Sequence, residues 1–119
     1  MRVELEDRAF WQEWMAMHTR PHGRVIGAGA AAKATVWLNF MGFTTDEVEY
    51  VVDSTPTKVD KFIPGTDIPI FKVDMLYYRI PTAILVLAHN YCDEIVRWLH
   101  PYNCLDAPIY NVATRERVA

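Results

Sequence analysis

Two kinds of apolar pattern alternate along the chain. Over residues 4 to 18, Leu5, Ala9, Phe10, Trp14 and Met17 recur at helical spacing, with Glu4, Glu6, Asp7 and Glu13 between them. Trp11 and Met15 widen that apolar face, and the pattern predicts an amphipathic helix covering one side of a sheet. Thr19-Arg-Pro-His-Gly23 then breaks it. The second kind is the short unbroken apolar run. Arg24 to Ala28 is the first, and Thr82-Ala-Ile-Leu-Val-Leu-Ala88 is the clearest strand in the chain. A continuous run of this kind belongs to a strand with both faces covered, as in a parallel sheet between helices.

Between these runs the pattern predicts a helix from about Ala30 to Met41, with Val36, Trp37, Phe40 and Met41 as its apolar face. Gly42 is placed to cap its carboxyl end. Thr44 and Glu47 have capping-box spacing for one short turn. Glu49 to Asp53 reads as the second strand. Ile68-Pro-Ile70 reads as a very short edge strand, because proline is tolerated only at an edge. Val73 to Tyr78 is expected to be a short helix, with Met75, Leu76 and Tyr78 partly buried. Asn90 is expected to cap a helix from Tyr91 to about Leu99, with Ile95, Val96 and Leu99 facing inward. Ala107 to Val112 is the last strand, and the polar residues Ala113 to Ala119 are expected to fray.

Strands alternating with helices imply right-handed crossovers and a parallel sheet. The predicted fold class is α/β: a three-layer, doubly wound, mostly parallel Rossmann-like sheet in the order 3-2-1-4-5, with an N-terminal helix. Residues 1–119 are expected to form one domain, with a covering helix over 1–22, an α/β core over 24–112 and a tail over 113–119. The topological switch then falls between the first strand and the Thr82–Ala88 strand, where sheets of this kind bind ligands at the carboxyl ends of their strands.

The 119 residues suffice for one core. A net charge of −3 provides no basic field for nucleic acid or anionic lipid, so neither is an expected partner. No apolar run reaches the length of a membrane span, and the start, Met-Arg-Val-Glu-Leu-Glu-Asp, carries no signal-peptide pattern. Cys92 and Cys104 are the two cysteines, too few for a disulfide framework, and fit a reducing, cytoplasmic setting. There is no internal repeat and no evident linker.

The candidate chemistry gathers on Arg24-Val-Ile-Gly-Ala-Gly-Ala-Ala-Ala-Lys33, a strand, a glycine turn and the start of a helix. Gly27, Gly29 and Ala32 meet the pattern G-x-G-x-x-G/A, in which glycines allow a tight turn and close approach of a ligand. Ala30, Ala31 and Ala32 are small enough for the helix to lie close to the sheet, and a helix N-terminus there suits an anion, with Lys33 adding a full charge. Plain helix–sheet packing satisfies the same residues. Asp53 follows Gly29 by 24 residues, at the end of the second strand, the interval of a ribose-binding acid; an aspartate opening a turn before Ser54-Thr-Pro56 reads equally well. Lys58 and Lys61 sit in a polar loop, either solvated or reaching an anionic ligand. The topology brings Gly27, Gly29, Ala30, Lys33, Asp53, His89 and Asn90 to one rim as ligand-binding candidates.

His89, Cys92, His100 and Cys104 have the spacing H-x2-C-x7-H-x3-C, and all four residue types ligate zinc. A helix between them would hold His89 and His100 about 15 Å apart, so no metal site is expected and the thiols read as small hydrophobes. His89 is also open to a role as a general base. Asp93 and Glu94 are adjacent on a helix and point apart, so they form no acid–base pair. No nucleophile elbow is present, and no catalytic residue is assigned. A rival reading makes the chain an interaction or oligomerisation module docking through Phe10, Trp11 and Trp14. His18 and His22 read as surface residues.

Taken together, Gly27-Ala-Gly-Ala-Ala-Ala-Lys33, Leu38-Asn-Phe40, Gly42, Tyr50-Val-Val-Asp53, Pro56, Lys58, Pro64-Gly-Thr-Asp-Ile-Pro-Ile70, Asn90 and Asp93-Glu-Ile95 resemble the C-terminal domain of S-adenosylmethionine-dependent sugar C-methyltransferases. The resemblance covers about Arg24 to Trp98. It implies a Rossmann-like domain that helps frame a nucleotide-sugar site behind an amino-terminal zinc module and a central methyl-transfer domain. S-adenosylmethionine and the catalytic residues are then implied for a partner domain or chain rather than for this one. Ala34 stands where the family commonly has glycine, and Phe71-Lys-Val-Asp74 replaces a Ser-Pro-Glu-like helix start. The same pattern partly resembles the nucleotide-binding domain of sugar epimerases and dehydratases.

Overall fold

Strand β1 (Val25–Ala28) is flanked on both sides, by β2 (Val51–Val52) and by β4 (Ala83–Val86). β3 (Ile70–Phe71) extends the sheet beyond β2, and β5 (Ile109–Asn111) extends it beyond β4. Every pairing among these strands is parallel, and the order β3-β2-β1-β4-β5 is the doubly wound order that the alternation of strands and helices predicts. These features are those of a computed structural model, which describes residues 5–119. The expected helix position Glu4 lies outside the described residues.

Successive strand residues point to opposite faces, so each strand feeds two cores. Val25, Val51, Ala83, Leu85 and Leu87 join one, together with residues of α1 (Leu5–His18) and α2 (Ala32–Met41). Ile26, Ala28, Val52, Ile84, Val86 and Ala88 join the other, together with Leu76 from a 3-10 turn at Val73–Tyr77 and Ile95 and Leu99 from α3 (Cys92–Leu99). This double demand explains why the β1 and β4 runs are apolar without interruption. It also explains Gly27, which stands inside β1 rather than in the turn after it. A Cβ there would lie 2.6 Å from Leu87 Cδ1 and 3.1 Å from Val51 Cγ2.

The seam of α1 is rotated from the expected one. Trp11 and Met15 are fully buried, whereas Leu5 and Met17 are 76% and 69% exposed. The reason is the size and fit of Trp11, whose ring meets Trp37 edge-on at 5.7 Å and Trp14 at 5.3 Å. Trp14 in turn stacks on His18 at 3.8 Å and abuts Tyr110. Trp11 is therefore spent inside the molecule, which removes it from any docking face, while Trp14 is half-buried.

In α2 the buried residues are Ala34, Trp37, Leu38 and Met41, and Val36, expected on the apolar face, is exposed. The helix begins at Ala32 because Gly29 to Ala31 complete the turn. It ends as predicted at Gly42, whose φ of 70° lets its N–H reach the carbonyls of Asn39 and Leu38. The short capping box also forms: Glu47 Oε1 accepts the Thr44 N–H at 2.8 Å.

Other boundaries move for local reasons. β3 lies at Ile70–Phe71, shifted toward the carboxyl end of the expected segment, and Pro69 before it forms an antiparallel bridge with Phe62. Tyr78 is 78% exposed rather than partly buried. Asn90 does not cap α3. A 3-10 turn at His89–Tyr91 leads out of β4, its backbone closed by the Tyr91 N–H to the Ala88 carbonyl at 2.9 Å, and the residue before α3 is Tyr91, with no side-chain cap. The tail does not fray: Arg117 bridges Tyr110, and the Asn111 N–H reaches the Glu116 carbonyl at 2.9 Å. Among the described residues no helix is long and apolar enough to cross a membrane.

The rotated α1 seam gives a direct stability contrast. Trp11→Ala is expected to lower the unfolding free energy by about 3–5 kcal/mol, and Met17→Ala to change it by no more than about 0.5 kcal/mol. Urea unfolding followed by tryptophan fluorescence and far-UV circular dichroism measures both.

Candidate functional site

The carboxyl ends of β1, β2 and β4 open into one cleft of about 220 Å³. Its floor is the turn Gly29–Ala31 with Ala88. One wall is Asp53, Ser54, Thr55 and Lys58 from the loop after β2, and the other is Tyr91, Glu94, Ile95 and Trp98 from the segment after β4. This is the topological switch point, where neighbouring crossovers leave in opposite directions and a crevice follows from the topology itself.

Gly29 makes the floor possible. Its φ is 94°, and a Cβ there would sit 2.8 Å from the Ala88 Cβ and 3.0 Å from Ile95 Cδ1. The backbone must therefore turn sharply and pass close beneath α3, and only glycine does both.

Asp53 is the buried polar side chain of the cleft. It is 8% exposed. One carboxylate oxygen accepts the Ala30 N–H at 2.7 Å, and the other accepts the Thr55 N–H at 2.7 Å. A carboxylate offers about four acceptor positions, so Asp53 keeps acceptor capacity for a hydroxyl group in the cleft. The reading of this residue as an aspartate opening a turn is realised, since the Thr55 contact is an aspartate-initiated turn.

The Ala30 contact bears on the expected phosphate cradle. The Ala30 N–H, the first donor after the glycine turn, is held by Asp53 and not offered to an outside anion. Lys33 does not line the cleft. It lies on α2, and its charge is felt by His89. His89 and Asn90 line an adjoining depression of about 370 Å³ with Cys92, Asp93 and Arg97, which shares Tyr91 and Glu94 with the cleft. Of the seven expected rim residues, the cleft contains Gly29, Ala30 and Asp53; Gly27 is held in the sheet, and Lys33, His89 and Asn90 stand outside. The crossovers bring these segments to one end of the sheet, but α3 starts only at Cys92, and the intervening 3-10 turn carries His89 and Asn90 past the opening.

The residues that sequence reasoning left out are Trp98, Tyr91 and Glu94. Trp98 stands three positions after the buried Ile95, on the same side of α3, and that spacing is the signal that places an aromatic ring at the cleft. Lys58 lines the cleft where Lys33 does not, brought in because Thr55 turns the loop back, with the Lys58 N–H on the Thr55 carbonyl at 3.0 Å.

His89 is held on the neutral side. Burial lowers its pKa from the ordinary histidine value, and the positive charge of Lys33 lowers it further. Its Nδ1 is buried without a hydrogen-bond partner. Cys92 is pushed up, first by burial and then by Asp93, so it remains a thiol. Among the described residues no group of three or more His, Cys, Asp or Glu side chains is placed to hold a metal ion.

Two comparisons with known proteins bear on this geometry. The family model for the C-methyltransferase C-terminal domain matches residues 8–106. The chain is also 35% identical over 72 residues to C-methyltransferase NovU of Streptomyces niveus, a match covering 60% of this chain and 17% of that protein.

The His89 environment sets a pH dependence. Above the ordinary histidine pKa of about 6.5 the ring is neutral in both folded and unfolded chains. As pH falls below that value the unfolded chain takes up the proton first, so stability declines toward acid. Lys33→Ala should raise the His89 pKa toward its ordinary value and reduce that decline. Histidine ring shifts followed by NMR across pH 4–8, together with melting temperature over the same range, check both. Gly29→Ala should destabilise the fold by about 1–3 kcal/mol, measured by urea unfolding.

Proposed function

The chain belongs to the C-methyltransferase C-terminal domain family, and on that footing we propose that it holds part of a nucleotide-sugar, or a similar phosphate-bearing ligand, beside a methyl-transfer domain. The observation that carries this reading is the Asp53 carboxylate, buried, fixed by two backbone N–H groups and facing a cleft that also contains Lys58 and Trp98. A hydroxyl-rich ligand would donate to Asp53. Lys58 would meet the negative charge of a phosphate, and Trp98 would offer its face to a sugar or a base.

The size of the cleft supports a framing role. At about 220 Å³ it is smaller than the roughly 300–1,000 Å³ of pockets that enclose a whole small molecule. It would take one portion of the ligand and leave the reacting carbon to the neighbouring domain. The chemistry of methyl transfer, and the S-adenosylmethionine it uses, belong in this reading to that domain. His89 serves here as a neutral structural ring and not as the base.

Titration calorimetry with uridine and thymidine diphosphate sugars tests the proposal. Saturable binding is expected. Lys58→Ala and Trp98→Ala should each weaken it about tenfold, equivalent to about 1.4 kcal/mol, and Lys33→Ala should leave it unchanged. Binding that is equal in all four proteins, or absent from the parent, removes the reading.

A further inference from the structure

The residues after β5 form a strap along its outer edge. The Ile109 N–H reaches the Ala119 carbonyl at 3.0 Å, the Asn111 N–H reaches the Glu116 carbonyl at 2.9 Å, and the Val118 N–H reaches the Ile109 carbonyl at 2.7 Å. These are the outward groups of β5; its other edge is taken by β4, as in the Val112 N–H to the Val86 carbonyl. Without the strap, β5 would present a row of unpaired donors and acceptors, a template for another strand.

A second anchor holds the strap. Arg115 pairs with Asp7 through Nε at 2.9 Å and through a second guanidinium nitrogen, and its guanidinium lies 4.7 Å from the centre of the Phe10 ring. Between strand and strap the chain turns through Ala113 and Thr114, both exposed, into Arg115 at φ 65°. A non-glycine residue at positive φ is an unfavourable place to bend. Asp7, Arg115 and the strap all fall outside the 8–106 match to the family model.

We propose that the β5 edge is a strand-pairing site, filled in cis by residues 116–119, whose partner in trans is the same segment of a second copy of this chain. The structure itself supplies the fit of the occupant. An exchange of straps keeps every backbone bond to β5 and the Arg115 contacts with Asp7 and Phe10, now made between copies. It also lets the 113–115 hinge straighten out of its left-handed bend. Because each copy gives and receives the same segment, the arrangement closes as a twofold dimer and does not propagate.

Light scattering on a sizing column, with hydrogen exchange of the Ile109 and Asn111 amides, tests this. Deleting Ala113 and Thr114, which leaves the strap too short to turn back onto its own β5, is expected to turn a monomer into a dimer of exchanged straps in which both amides stay protected. A synthetic peptide of residues 113–119, added in excess, should return the shortened chain to monomer. Thr114→Pro, which pushes Ala113 toward extended backbone in the full-length chain and leaves Arg115 in place, should raise the dimer fraction and is read where the deletion fails to fold. A monomeric shortened chain, a dimer that the peptide leaves intact, or a Thr114→Pro chain with unchanged dimer content would each overturn the proposal.

Discussion

One buried carboxylate ties the cleft end of this molecule together. Asp53 sits at the end of β2, yet its two oxygens hold the Ala30 N–H, in the turn after β1, and the Thr55 N–H, in its own loop. A buried charged group is tolerated only when its hydrogen bonds are made, so Asp53 forces the two loops into a fixed relation. The cleft is what remains between them and α3. The same bonds decide its chemistry, since the amide that would have greeted an anion faces a carboxylate of the protein instead.

Around that point the packing leaves little freedom. β1 has neighbours on both edges and apolar layers on both faces. Its two glycines serve that crowding in different ways. Gly27 yields its volume to Leu87, and Gly29 turns the chain at positive φ beneath Ala88 and Ile95. A pattern that reads in sequence as a ligand motif is here first a packing solution, and the cleft above it is walled by Asp53, Lys58 and Trp98.

The periphery follows the same economy of backbone groups. Both outer strands are covered by the chain's own segments: the Phe62–Pro69 bridge lies next to β3, and the Arg117–Tyr110 bridge lies on β5. The second of these reaches across to α1 through Arg115 and Asp7, so the first helix and the last residues brace each other. The aromatic line from Trp37 through Trp11 and Trp14 to Tyr110 runs beneath that brace.

The family, the α/β class and the strand order were legible in the residues. Unbroken apolar runs at β1 and β4 require two covered faces, glycine at position 42 ends a helix through its φ, and alternating elements with right-handed crossovers leave few topologies. Asp53, Gly29 and Ala30 could be placed at the cleft because strand ends are set by that topology. What sequence could not decide was anything that depends on rotation or on contacts distant along the chain. The seam of α1 turned on which tryptophan found Trp37. Lys58, and not Lys33, came to line the cleft because a loop folded back at Thr55. His89 and Asn90 were carried aside by a single 3-10 turn, and the tail was held by residues more than a hundred positions away. Periodicity records which residues seek burial; only the assembled neighbours determine where each side chain finally points.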